Sequence, residues 1–303
     1  MSDRVGFIGV GRMGAPMVRR LLAHGYEVCI RDVSEAAVAP FRGQPGVTIC
    51  GSPWEVAGQV PVVLLSLPLP KTLLDVVLGP DGVAAAGPGR CVIDTSTSGA
   101  RASRAVGAEL GAKGLQFLDA PVSGGVPGAE KGTLSVMVAG DPALYDRHKG
   151  LLSIIGKNVF YVGAEPGQGQ AMKLVNNMLS ATALVATSEA MAVATKAGIA
   201  PDVALDILNV SSGRNSATQD KFPKDVITGT FSYGFLVDLM LKDVKLFEEL
   251  ADEMRVPTLV SPAVINAWRV AVAQGYGPKD FTAIAEMFER WAGVEIRARR
   301  REG

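Results

Sequence analysis

The sequence predicts an α/β domain built on a doubly wound parallel sheet, followed by an all-α domain. Three observations predict it. Apolar strand-like runs alternate with helical stretches through the first half, a glycine-rich turn joins the first strand to the first helix, and β-like alternation stops after residue 163. The strand-like runs are residues 5–9, 27–31, 62–67, 91–94 and 116–119, and the helical stretches between them are 13–23, 35–41, 71–77 and 101–112. Strands that are apolar throughout and separated by helices belong to βαβ units, buried on both faces. Residues 134–139 and 158–162 read as further strands around a helix at 142–152. Gly167 and Gly169 then open a long helix over 171–197. Helices follow at 202–210, 237–253, 262–274 and 281–291, with Pro201 where the first of these starts. The expected domains are 1–163 and 164–303, joined through a hinge at 163–169.

The 303-residue chain is 48% hydrophobic and 20% charged, with a formal net charge of zero. That composition supports a sizeable core and gives no electrostatic reason to expect nucleic acid as a partner. The basic stretch 297–301 reads as a frayed helix end or tail. Met1-Ser2-Asp3-Arg4 leads directly into the first strand, without the apolar region that a signal peptide needs. Residues 60–69 are interrupted by prolines and too short to span a bilayer. Residues 180–200 are Ala-rich but carry Glu189 and Lys196, so they read as a buried bundle helix and no membrane partner is expected. Cys29, Cys50 and Cys91 form no CxxC and leave an odd thiol, which suits small core residues in a reducing compartment, the cytoplasm.

Gly9-Val10-Gly11-Arg12-Met13-Gly14 is a GxGxxG placed between a strand and a helix. Such glycines permit a tight turn, close approach of a pyrophosphate, and close helix–strand packing, while the helix N-terminus offers unpaired N–H groups to the phosphates. The second strand ends at Asp32, near the spacing of a carboxylate that binds the ribose hydroxyls of NAD. Asp32 is alternatively a helix-capping residue, although Ser34 competes for that job. A carboxylate here repels a 2′-phosphate and favours NAD, whereas the adjacent Arg31 keeps NADP open. Together these features describe a Rossmann-type domain.

Along nearly its whole length the sequence resembles the β-hydroxyacid dehydrogenase family. The resemblance rests on four ordered motifs: Gly6 to Gly14, Asp119-Ala120-Pro121-Val122-Ser123-Gly124-Gly125 with Gly132-Thr133-Leu134, Gly167-Gln168-Gly169 with Lys173, Asn176 and Asn177, and Lys242-Asp243. Lys279-Asp280-Phe281 is similar to the family as well. The resemblance implies further cofactor contacts at Leu67, Pro68, Thr72, Thr97 and Lys242, beside Gly9, Gly11, Arg12, Met13, Gly14 and Asp32. It also implies a homodimer or homotetramer. Among relatives on this scaffold, 6-phosphogluconate-type decarboxylating enzymes carry a much longer α domain, and imine reductases typically lack the lysine at 173.

The chemistry expected of the residues agrees with this. Oxidising an alcohol by hydride transfer leaves one hydroxyl proton to be moved by an acid/base group. His24, at a helix end, and His148, on what reads as a surface helix, suit structural roles better, and no His, Cys or carboxylate cluster has zinc-ligand spacing. A lysine can do the work if burial lowers its affinity for the proton. The motif selects Lys173, flanked by Met172, Leu174 and Val175, over the usual solvated helix lysine. Asn177 stands one turn on along the same helix face and completes a clamp for a hydroxyl or carbonyl. Ser123, Gly124 and Gly125 form either a carboxylate-binding nest or a simple turn after a strand. Ser211-Ser212-Gly213-Arg214 suits a site contact or a helix C-cap equally, and Phe231 and Phe235 suit a pocket wall or core. The expected activity is interconversion of a small β-hydroxy acid and its semialdehyde, with 3-hydroxyisobutyrate first. Tartronate semialdehyde, serine, threonate and 4-hydroxybutyrate are the alternatives, and a non-catalytic NAD-binding module is the rival class.

Overall fold

The computed structural model describes residues 4–298. The chain divides into two compact units, 1–173 and 174–303. In the first, the elements run β1 (Arg4–Ile8), α1 (Gly14–Ala23), β2 (Glu27–Arg31), α2 (Glu35–Val38), β3 (Val47–Ile49), α3 (Pro53–Gln59), β4 (Val62–Leu65), α4 (Pro70–Leu78), β5 (Cys91–Asp94), α5 (Ala100–Ala112) and β6 (Gln116–Asp119). They continue with β7 (Val122–Ser123), α6 (Gly125–Lys131), β8 (Ser135–Gly140), α7 (Pro142–Ile155) and β9 (Asn158–Gly163). The strand order β3-β2-β1-β4-β5-β6 is all parallel, the doubly wound dinucleotide-binding order.

Strand periodicity of two explains the two layers of core. Val5 and Phe7 of β1 and Val28 and Ile30 of β2 turn to one face, against Met17 and Leu21 of α1. Ile8 and Cys29 turn to the other, against Val56 of α3, Leu73 of α4 and Val106 of α5. Gly6 is required on that second face, because a Cβ there would lie 2.5 Å from Val56 Cγ1.

The sheet is mixed rather than wholly parallel. β8 runs antiparallel to both β6 and β7. The pairs Leu118↔Gly140, Asp119↔Ala139, Val122↔Val136 and Ser123↔Ser135 share one register, so β6 and β7 are one strand interrupted at Pro121, which has no N–H to give to a ladder. β9 pairs parallel with the far side of β8.

The second unit is helical. Its elements are the continuation of α8 (Gln168–Lys196), then α9 (Pro201–Val210), α10 (Val237–Glu253), α11 (Ser261–Ala273) and α12 (Ile284–Ala292). Trp268, Phe222, Ile265 and Ile284 are fully buried at its centre. Pro201 stands at the first position of α9, where its missing N–H costs nothing. The division at Lys173/Leu174 falls inside α8, later than the expected hinge, because Asp119 and Ser96 of unit 1 bond the first turn of that helix to the sheet.

Several elements differ from expectation. The stretch 35–41 is a single turn of α-helix followed by a 3₁₀ turn at Ala39–Phe41, where Pro40 removes a donor. β3, α3 and α6 are short; α3 is announced only by its cap, Ser52-Pro53-Trp54-Glu55, in which the Ser52 hydroxyl accepts from Glu55 N. Residues Ala217–Val226 form a π-helix containing Pro223. The stretch 297–301 is not a frayed helix end where it is described. α12 ends at Gly293 in the left-handed region, and the Arg297 guanidinium pairs with buried Glu289 at 2.5 Å. Residues 299–301 lie outside the described residues.

Candidate active site

The glycine loop between β1 and α1 shows why each glycine is there. Gly9 has φ +93, and a Cβ on it would fall 2.2 Å from the Ser66 carbonyl oxygen. On Gly14 a Cβ would fall 1.9 Å from the Gly9 carbonyl oxygen. Both positions are closed by the protein itself. Gly11 is different, since a Cβ there meets nothing within 4 Å. The protein does not need glycine at 11 for its own packing, so the open space in front of Gly11 fits a group that approaches the backbone from outside. The start of α1 has no side-chain cap; Ala15 N–H bonds the Gly11 carbonyl and Pro16 has no N–H, so the amides that can face an anion are those of the glycine loop at 11–14. Arg12 is exposed and Met13 half-buried on the same turn. Gly11→Ala should therefore leave the melting temperature within about 2 °C while weakening NAD binding at least about tenfold, read by calorimetry and by nucleotide titration.

Asp32 is tied to this loop. Its Oδ2 accepts from Val10 N at 2.8 Å, and its Oδ1 accepts from Ser34 N at 2.8 Å. Ser34, not Asp32, takes the N-cap position of α2. Ser34 caps α2 without a side-chain bond, while Asp32 makes the turn-forming bond to it. The carboxylate is held at the C-terminal end of β2, beside the glycine loop. The Arg31 guanidinium folds back onto the carbonyl of Asp32.

A buried polar network occupies the C-terminal ends of β4, β5 and β6. Asp94 and Asp119 are register partners on adjacent strands, both fully buried. Asp94 accepts from Ser96 N at 3.0 Å and from the Ser98 hydroxyl at 2.6 Å. The Ser96 hydroxyl accepts from Leu67 N at 2.7 Å, which fixes the loop carrying Leu67 and Pro68. Thr72 sits half-buried on the first turn of α4, and Thr97 is half-buried within an otherwise buried stretch. Burial pushes the Asp119 carboxyl up to about 7, against the opposing effect of hydrogen bonds from the backbone N–H groups of Gly167 and Gln170, with the Asp94 charge adding to the rise.

This network holds the start of α8. Gly167 has φ +97, and a Cβ there would lie 2.8 Å from the Ala100 carbonyl oxygen. At Gly169 a Cβ would lie 2.4 Å from the Met137 carbonyl oxygen and 2.8 Å from Asp119 Oδ2. Those two glycines let the helix dock directly on the sheet end. Gln170, fully buried, donates to the Ser96 carbonyl at 2.9 Å and accepts from Ser98 N and Gly99 N. Lys173 follows, only 7% exposed. The solvated-lysine alternative is therefore excluded.

Ser123 ends β7, and Gly124 and Gly125 carry consecutive positive φ values of +131 and +64 into α6, a backbone path that favours glycine at both positions. In the second unit, buried Asn177 donates to Asp243 Oδ2 at 2.6 Å, and its own Oδ1 accepts from Asn176. Lys242 Nζ lies 3.0 Å from Asp243 Oδ1. Phe231 and Phe235 pack against the helical core, with Phe235 edge-on to Phe281, while Ser211 caps the end of α9. The core and cap alternatives describe these residues. Phe231 has φ +46, a strained backbone that no sequence feature announces.

His148 lies on the buried side of α7, not on a surface helix. Burial, with Arg147 beside it, lowers its proton affinity. His24 sits at the end of α1 with Nδ1 against the Arg20 carbonyl. The three cysteines are buried and free. Cys29 and Cys50 neighbour one another below Gln59, which bonds to both.

A family model described as the NAD binding domain of 6-phosphogluconate dehydrogenase matches residues 4–163. A second, described as NAD-binding of NADP-dependent 3-hydroxyisobutyrate dehydrogenase, matches residues 167–288. The chain is 35% identical over 296 residues to 2-(hydroxymethyl)glutarate dehydrogenase of Eubacterium barkeri, covering 97% of this chain and 98% of that protein. It is 36% identical over 287 residues to mitochondrial 3-hydroxyisobutyrate dehydrogenase of Homo sapiens, covering 92% of this chain and 85% of that protein. Among solved structures, 3-hydroxyisobutyrate dehydrogenase of Mycobacterium tuberculosis with L-serine is similar, with a TM-score of 0.85 at 30% identity, over 95% of this chain and 99% of that one.

Proposed function

The chain belongs to the β-hydroxyacid dehydrogenase family, and from that premise we propose that Lys173 is the acid/base of a reaction that interconverts a small β-hydroxy acid and its semialdehyde. The protein is a nicotinamide-dependent oxidoreductase acting on a CH–OH group. The observation that carries the assignment is a buried lysine on a helix whose first turn is bonded to the sheet end of the same unit that holds the glycine loop.

The open face of Gly11, the uncapped start of α1 and the anchored Asp32 would hold a dinucleotide, with Arg12, Met13, Leu67, Pro68, Thr72 and Thr97 around it. The role of Lys242 in binding it rests on the resemblance alone. When bound, the nicotinamide accepts or donates the hydride. Lys173 takes the hydroxyl proton during oxidation and returns one to the carbonyl oxygen during reduction. Its burial keeps bulk water away from that proton. Ser123 and the backbone N–H groups at Gly124 and Gly125 orient the substrate carboxylate. The role of Asn177, which Asp243 holds within the second unit, as a second polar contact to the substrate oxygen rests on the resemblance alone.

NAD is the proposed cofactor. Asp32 is held rigidly by the Val10 and Ser34 amides and cannot swing away from a 2′-phosphate, and Arg31 is turned toward the Asp32 carbonyl. Asp32→Ser should raise kcat/KM with NADP relative to NAD by at least about tenfold, as one removed charge repulsion of about 1.4 kcal/mol or more requires. An unchanged ratio would place the discrimination elsewhere.

3-Hydroxyisobutyrate is the first substrate choice, and the named relatives extend the panel to serine and 2-(hydroxymethyl)glutarate. Absorbance at the reduced-nicotinamide band, with each acid and either cofactor, tests the reading. Turnover of none of them would remove it.

A homodimer or homotetramer is the proposed assembly. Val175, Leu179 and Val193 of α8 and Val203, Ile207 and Val210 of α9 are exposed apolar residues at helical spacing, a surface that a second copy would cover. α8 is long and apolar enough to cross a membrane, but its buried Gln170, Lys173 and Asn177 suit a soluble enzyme helix, and three free thiols suit the cytoplasm.

A further inference from the structure

A helix normally receives its first-turn cap from its own N-cap side chain, whose oxygen accepts the N–H two or three residues on. The residue before α8 is Gly167, which has no side chain. The cap comes instead from β6. Asp119 Oδ1 accepts from Gly167 N at 2.8 Å and Oδ2 accepts from Gln170 N at 2.8 Å. Its carboxylate thus meets the positive end of a 29-residue helix. Gly169 lets the helix come close enough for both bonds, since any Cβ would displace Asp119 Oδ2. On the same turn the Gln170 side chain is gripped by Ser96, Ser98 and Gly99. The carboxylate fixes the height of the helix end, and the glutamine fixes its rotation. Lys173 stands three residues beyond Gln170, on the adjoining turn of the same face.

Resting on the reading of Lys173 as the acid/base, we infer that Asp119 is a positioning residue for catalysis: it supplies the N-cap of α8 from another strand and, with Gln170, sets where the Lys173 amine stands. The Asp119 carboxyl makes no claim on the substrate. The charged group that faces it is Asp94 on β5; its other neighbours are the two capping amides from α8 and, against Gly169, the Met137 carbonyl of β8. Both carboxyl oxygens accept an amide of α8. Burial pushes the group up to about 7, so relative to a solvated carboxyl the seated helix end is favoured below that pH and gives up stability as pH passes upward through it.

The test is Asp119→Asn in the full-length enzyme. Asparagine keeps one acceptor and turns an NH₂ toward the other amide. A misplacement of about 1 Å at a reacting group lowers rate by about a hundredfold. The expected result is a kcat, counted per NAD-binding site, that falls about ten- to a hundredfold, with KM for NAD within about threefold and no inflection of kcat near pH 7. Gln170→Ala, which keeps the cap and releases the rotation, should lower kcat about tenfold with the wild-type inflection retained. If Asp119→Asn does not fold, Gln170→Ala decides. A kcat within twofold of wild type in the folded variant, or an unaltered pH profile in Asp119→Asn, overturns the inference. Lys173→Ala, assayed beside them, separates the two ideas. A Lys173→Ala enzyme that still turns over removes the acid/base assignment, whereas an inactive Lys173→Ala beside an unimpaired Asp119→Asn removes only the positioning role.

Discussion

Lys173→Ala should lower kcat by about a hundred- to ten-thousandfold, the usual contribution of one positioned acid/base group. Dinucleotide binding should remain within about threefold, because the glycine loop and Asp32 do not depend on this side chain. The loss should fall on kcat more than on KM, as expected where the proton moves only in the transition state. Lys173 is buried, so alanine also leaves a cavity, and the stability lost with it could mimic a chemical effect. Lys173→Met separates the two. Methionine fills the space of the aliphatic stem and has no titratable group, so it should fold like wild type and be as inactive as the alanine variant. A methionine enzyme with near-normal kcat would show that the proton travels by another route.

Gly14→Ala should be the most damaging single methyl addition in the first unit. The new Cβ would stand 1.9 Å from the Gly9 carbonyl oxygen and 3.0 Å from the Phe7 ring. Neither can yield cheaply, because one is backbone and the other is fully buried. Overpacking of this kind costs about 3 kcal/mol or more, which in a unit of this size lowers the melting temperature by roughly 6–12 °C. Opening the turn to relieve the clash also moves the α1 amides, so NAD affinity should drop by at least about a hundredfold. Gly11→Ala is the matched control, since it adds the same methyl to open space. Equal loss of stability in the two variants would mean that the Gly9 carbonyl does not close the turn over Gly14.

The parts of the fold legible in the sequence are those with strong local signals. β1, β2, β4, β5 and β6 are apolar runs, and α8 is legible as a long stretch without breakers rather than by its period. The doubly wound, Rossmann-type character of the sheet follows from the glycine turn and Asp32. β3 escapes notice because Val47-Thr48-Ile49 is only three residues long and only partly buried. The antiparallel β8 gives no sign of its direction, since an apolar run reads alike both ways. The π-helix at Ala217–Val226 lies in a polar segment with a proline, where local propensity points to a loop and only tertiary packing holds the turns. In the site, motifs disclose Lys173, Ser123 and Asp32, while nothing local assigns a role to Asp119 or Gln170. Their partners lie 48 to 74 positions away, and no local pattern encodes such a distance. Asp243 is hidden in the same way. It stands next to a lysine in the chain, but its work is done on Asn177.

The unbroken register that joins β6 to β7 through Pro121 has an evolutionary corollary. Asp119 and Ser123 ride on a single ladder, so inserting or deleting one residue between them would invert one side chain relative to the other across the pleat. Drift in this enzyme lineage can exchange side chains along that segment but cannot change its length.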